Sequence, residues 1–248
     1  MRLLLGTHQP SWLARTRLPL FVSFSRLSTY QRPPRAIGNW ALDSGAFTEL
    51  YRHREWRWSA EQYASDVRRF SQEAGRLEWA SIQDWICTPA VLRKTGLSVS
   101  LHQENTVRSL LQLRRFAPDV NWLPVLQGWD LQSYFAHAKM YAGAGVSLQH
   151  EMLVGVGSVA SRQRDPMLPE LFRELHQLGL RLHAFGLSAQ GLRRVHQYLC
   201  SADSMVWSYI ARRRKIKHRK CCANHSICNN CLMFAVSWRR NLLAELHE

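Results

Sequence analysis

Eight times along this chain an apolar, strand-like run returns, and between most of these runs lies an amphipathic segment of helical length. The runs occupy residues 2–7, 19–24, 37–43, 78–84, 122–127, 152–157, 181–187 and 204–208. Helical spacing of apolar residues marks 60–74, 99–116, 131–144, 166–178 and 189–199. Alternation of strand and helix predicts a parallel sheet, and eight repeats predict an α/β fold closed as a TIM-type (β/α)8 barrel. The 248 residues are enough for one such barrel. We expect it over residues 1–210, followed by a second segment over 211–248 that packs on it. There the run Ala211 to Lys220 is basic, a cysteine cluster follows, and 232–247 reads as a closing helix.

The ends of the expected strands carry the chemistry. Asp43 ends one run and turns at once through Ser44 and Gly45. An Asp before Ser-Gly is an ordinary turn former when taken alone. Here, however, Asp84, Gln127 and Gly157-Ser158 end the next three runs, and Asp203 sits just ahead of the last. C-terminal strand ends of a parallel barrel converge on one face, so these polar residues are expected to share a pocket. Two carboxylates in a pocket can divide labour, one attacking carbon and one managing protons. A third beside an amide and a bare glycine N–H suits a purine edge, with Asp84 accepting N–H groups while Gln127 and the backbone at Gly157 donate to a carbonyl oxygen. His102, Gln103 and the segment 158–164 are expected to line the cleft as well.

A net charge of +15 and a pI near 10.3 call for a polyanionic partner, with nucleic acid the leading candidate. Arg212, Arg213, Arg214 and Lys215 are placed to contact phosphates without reading sequence. No run approaches the roughly 18 apolar residues of a membrane span, and the N-terminus reads as a first strand, so the expectation is a cytoplasmic protein without a membrane partner. Four of the six cysteines cluster near the C-terminus. Cys222, His225, Cys228 and Cys231 are spaced three apart and end in Cys-x-x-Cys, a pattern for a tetrahedral structural zinc, with Cys221 or His218 able to replace one member.

Taken together, Leu42-Asp43-Ser44-Gly45-Ala46-Phe47, Gln83-Asp84-Trp85-Ile86-Cys87-Thr88-Pro89, Pro124-Val125-Leu126-Gln127-Gly128-Trp129, Val154-Gly155-Val156-Gly157-Ser158-Val159, His183-Ala184-Phe185-Gly186-Leu187 and Ala202-Asp203-Ser204-Met205 resemble the DpdA family. That family is the DNA-modifying branch of the tRNA-guanine transglycosylases, and the likeness runs in order over nearly the whole chain. It implies a TIM-type barrel that exchanges guanine in double-stranded DNA for a 7-deazaguanine such as preQ0. On that resemblance Asp203 matches the nucleophile and Asp43 the general acid/base. Asp84 and Gln127 match the base-reading pair, Gly157 the glycine that approaches the base, and Phe47 an aromatic over the base. Trp85 and Trp129 are further stacking candidates for an extruded base. A structural zinc and an ATP-using partner protein are also implied. The chain shows Ser-Gly-Ala where the tRNA enzymes usually show Ser-Gly-Gly. The alternatives are the same chemistry on tRNA and a zinc-stabilised nucleic-acid-binding protein without catalysis.

Overall fold

The computed structural model describes residues 1–217 and 226–247. Nine parallel strands form one sheet: β1 (Arg2–Thr7), β2 (Leu20–Ser23), β3 (Trp40–Asp43), β4 (Leu77–Ser81), β5 (Trp122–Leu123), β6 (Val125–Leu126), β7 (Val154–Val156), β8 (Leu182–Ala184) and β9 (Leu199–Ser204). Their order is β5-β4-β3-β2-β1-β9-β8-β7-β6. The two edge strands are thus neighbours in the chain, separated by Pro124 alone, and the sheet curls into a nearly closed barrel. Proline has no N–H to give a ladder. The expected strand 122–127 therefore splits in two, while the Pro124 carbonyl still accepts from the Gly155 N–H at 2.8 Å.

Ten α-helices follow the strands in the described residues: α1 (Phe24–Leu27), α2 (Ala46–His53), α3 (Ala60–Ala74), α4 (Pro89–Thr95), α5 (Val99–Phe116), α6 (Leu131–Gly143), α7 (Leu168–Gln177), α8 (Ala189–Val195), α9 (Val206–Arg213) and α10 (Leu232–His247). Several begin where the sequence supplies a cap. Ser59 accepts from Gln62 N–H, Ser98 from Leu101 N–H and Ser188 from Gly191 N–H, and Asp130 with Ser133 closes a reciprocal capping box on α6. None of the described helices is long and apolar enough to cross a membrane.

Side chains alternate across the strands. Leu3, Leu5, Val22, Trp40 and Leu42 join the large cluster under the helices, whereas Leu4, Phe21, Ala41, Trp79 and Leu123 form a second, smaller cluster with Phe185 packed against it. That second set plugs the barrel interior. Two residues further along β3 the same face presents Asp43.

The last strand differs from the expectation. It runs Leu199–Ser204, and the stretch expected to be strand, 204–208, instead turns into α9 at Val206. Asp203 consequently lies in a strand, one residue before its end, with Leu4 of β1 as its lateral partner.

Candidate active site

A cavity of about 280 Å³ opens at the C-terminal ends of the strands. Asp43, Asp84, Gln127, Gly157, Phe47 and Asp203 all line it, so the fold brings together six residues that lie up to 160 positions apart. Among the described residues lining this cavity there is no lysine, arginine or histidine. Three carboxylates therefore share one concave space in a protein of net charge +15, with no cationic side chain among them.

Asp43 is held by the turn that follows it. Gly45 adopts a left-handed φ of +80°, and its N–H donates to Asp43 Oδ1 at 3.0 Å before α2 starts at Ala46. Burial pushes the Asp43 carboxyl up to about 6; the Gly45 N–H opposes this and the negative charge of Asp203 adds to it. Asp84 is buried more deeply and rises to about 7, again through burial first, with the Gln127 hydrogen bond pulling the other way and Asp43 pushing up. Ser44 Oγ donates to Asp84 Oδ1 at 3.3 Å. Both groups therefore titrate near neutrality, where a proton can be held and released.

Gln127 is the most constrained polar residue in the cavity. Its backbone N–H donates to His137 Nδ1 at 2.8 Å and its carbonyl accepts from Gln103 Nε2 at 2.7 Å. The side-chain oxygen accepts from Ser158 Oγ at 2.6 Å, and the nitrogen donates to Asp84 Oδ2. Ser158 holds its place at a left-handed φ of +58°, and its Oγ also accepts from the Cys87 N–H at 2.9 Å. A non-glycine residue in that region costs on the order of 1 kcal/mol, a cost met by these two bonds. Gly157 makes room for the arrangement, since a Cβ there would stand 2.2 Å from Gln127 Nε2. Tyr134 fixes the same glycine through a 2.6 Å bond from its hydroxyl to the Gly157 carbonyl.

Asp203 Oδ1 accepts from the Gly186 N–H at 2.9 Å and lies 3.5 Å from His183 Nε2. Its Oδ2 has no hydrogen-bond partner among the described residues. His183 is fully buried in the barrel interior, ringed by Phe21, Trp79 and Phe185, with Nδ1 at 2.9 Å from Ser201 Oγ.

Phe47 stands at the mouth, 54% exposed and stacked on Tyr51 with centroids 5.3 Å apart. The other aromatics expected to stack do not line the cavity. Trp85 packs edge-on against His102, and Trp129 lies under the Arg162 guanidinium. His102 and Gln103 likewise sit behind the wall: His102 bridges Ile86 O and Thr95 Oγ1, and Gln103 clamps the Gln127 backbone. Of the 158–164 segment, Ser158, Ala160 and Ser161 reach the cavity. The Cys87 thiol is pushed up to about 12 by burial and by Asp84, which leaves it inert as a nucleophile.

The basic run divides. Arg212 faces a separate cavity, Arg213 bonds and stacks on Tyr209, and Arg214 and Lys215 form the exposed turn after α9. Of the expected zinc ligands, Cys228 and Cys231 are buried together against Ala211, with Ile216 and Phe234 packed on them. Two thiols three residues apart on one turn suit a shared tetrahedral ion. Cys222 and His225, with the substitutes Cys221 and His218, lie outside the described residues. Among the described residues no group of three or more His, Cys, Asp or Glu gathers to hold a metal.

No curated protein matches the chain. The family model described as DpdA, DeoxyPurine in DNA protein A, matches residues 1–248, and the chain belongs to the DpdA family.

Proposed function

We propose that this protein is a guanine transglycosylase that exchanges guanine in DNA for a 7-deazaguanine base of the preQ0 kind. Family membership supports DNA modification by transglycosylase-like chemistry. The observation that carries the reaction is the cavity in which Asp43, Asp84 and Asp203 meet beside Gln127 and Gly157, with no cationic side chain among its described lining residues.

The unengaged oxygen of Asp203 attacks C1′ of an extruded deoxyguanosine while the C1′–N9 bond breaks. The bond's electron pair leaves with N9, which takes the proton of Asp43, and a glycosyl-aspartate ester remains. An incoming deazaguanine then gives its N9 proton back to Asp43, attacks C1′ and expels the Asp203 carboxylate. Carboxylates without a neighbouring cation stabilise the positive charge that builds on the sugar in both steps. A carboxyl that titrates near 6 can serve in both directions at neutral pH.

The base is read by the same network. Gln127 Nε2 spends one hydrogen on Asp84 and keeps a second for the purine carbonyl, while Ser158 prevents the amide from flipping. Asp84 accepts from the ring and exocyclic N–H groups. Phe47, exposed at the mouth, offers a face for the extruded base. A structural zinc on Cys222, His225, Cys228 and Cys231 belongs to the same proposal; it would hold the C-terminal segment in place.

The test is mass spectrometry of nucleosides from digested DNA and tRNA of the native host, with and without the gene, and with an Asp203→Asn allele. Any ATP-using partner is then present. We expect a deazaguanine nucleoside in DNA that disappears on deletion and is not restored by Asp203→Asn. A change confined to tRNA, or full restoration by Asp203→Asn, overturns the reading.

A further inference from the structure

A second cavity, of about 830 Å³, adjoins the same face of the barrel and differs sharply in chemistry. His8 reaches it from the end of β1, Arg26 from α1, Arg52 from α2, and Ser208 and Arg212 from α9. Among the described residues no carboxylate lines it. Among the described residues none of the three arginine side chains has an acidic partner, although elsewhere in the fold arginines pair with Glu49, Glu78, Asp119, Glu151 and Asp165. Guanidinium groups gathered from three helices repel one another, and His8 registers this: burial first, then the charges of Arg26 and Arg212, lower its pKa. An anion is the missing complement.

The position says which anion. Arg52 lies on the helix that carries Phe47 at the mouth of the acidic cavity, and Met205, which lines the basic one, follows Asp203 by two residues. At the reach of an extended chain this puts the two cavities within about 7 Å along the backbone. Resting on the reading that the acidic cavity receives a nucleotide of a polynucleotide, we propose that the basic cavity is a phosphodiester site for the strand running on from the extruded nucleotide. The acidic cavity repels phosphate and the basic one holds it, so the charge pattern draws the sugar and base inward and keeps the backbone outside.

Fluorescence anisotropy tests this with the full-length protein, a labelled single-stranded oligodeoxynucleotide containing one guanine, and a KCl series. The triple variant R26Q/R52Q/R212Q is expected to lower the slope of log K against log salt by about 2, at roughly 0.7 for each phosphate of a single strand that is no longer neutralised. R26K/R52K/R212K, which keeps the charges, is expected to retain the slope. A neutral methylphosphonate linkage beside the guanine should weaken wild-type binding and leave the Gln variant indifferent. An unchanged slope in the Gln variant, equal loss in the Lys and Gln variants, an equal methylphosphonate penalty in wild type and Gln variant, or no binding of either a DNA or an RNA oligonucleotide by the wild type overturns the proposal. An RNA oligonucleotide of the same sequence separates the two readings. Binding of RNA alone with a variant-sensitive slope keeps the phosphate site and removes DNA as substrate, whereas DNA binding with an insensitive slope does the reverse.

Discussion

Asp84 and Asp43 carry their protons toward neutral pH, and this sets a measurable cost. Both have an ordinary value of 3.8 in the unfolded chain and rise in the fold, to about 7 and about 6. Between pH 4 and 7 the folded state therefore holds protons that the unfolded state has released, and stability falls as pH rises through that window. Their contribution is fully present below pH 4 and lost above 7. The carboxamide Asp84→Asn cannot ionise, yet its oxygen can accept from Gln127 and its nitrogen can donate to Ser44. We expect its melting temperature to fall less than that of wild type between pH 5 and 8. The gap should correspond to on the order of 2–4 kcal/mol, since each tenfold change in proton affinity is worth about 1.4 kcal/mol. Parallel melting curves for the two proteins would show that Asp84 is ionised at little cost. Base exchange should be lost in the variant at every pH, because the acceptor for the purine N–H groups has become partly a donor.

At the scale of elements, the key piece is the β3-turn-α2 unit, which puts Asp43 at the end of a strand and Phe47 in the first turn of a helix. Phe47 touches solvent and Tyr51, and Lys94 of α4 sits 5.3 Å over the Tyr51 ring, so the aromatic pair is a ready platform held from behind. Phe47→Ala is expected to leave the melting temperature unchanged and to weaken binding of a guanine-containing oligonucleotide by about 1–3 kcal/mol, the usual worth of one base stacked on an aromatic ring. An unchanged Kd would remove Phe47 from the base's path. The strand ends of this unit were legible in the sequence because each buried run stops at a polar residue, α3 and α5 were legible from the helical spacing of their apolar residues, and α10 was legible as a closing helix. The helix α2 was not, since it is short and its buried side includes Glu49, held by two bonds from Arg57. The last strand was displaced because Ser201 and Asp203 read as polar, while the apolar Val206 and Trp207 that follow belong to α9. Ser158, Tyr134 and His183 owe their places to partners tens of residues away, and no local pattern announces such contacts.

Across the whole molecule, the two ends of the chain are fastened to each other at β1. Trp207 of α9 donates to the Gly6 carbonyl at 3.0 Å and stacks on Trp12, and Arg239 of α10 donates to the Leu3 carbonyl at 2.9 Å. The strand that pairs with β1 on the other side of this fastening is β9, which carries Asp203. Between α9 and α10 lie Cys228 and Cys231, packed on Ala211, so whatever fixes those thiols also fixes the clasp around β1. If zinc is that group, as proposed, its binding free energy is part of the folding free energy of the barrel. The purified protein should then contain one zinc per chain by elemental analysis, and Cys231→Ala should contain none. A loss of about 3 kcal/mol would lower the melting temperature by roughly 6–12 °C for a chain of this size. Exchange activity should fall in the same proportion as the folded fraction, with the base affinity of the remaining folded protein unchanged, because neither Cys228 nor Cys231 lines the acidic cavity. A protein free of zinc that melts at the wild-type temperature would show that buried thiols alone complete the clasp.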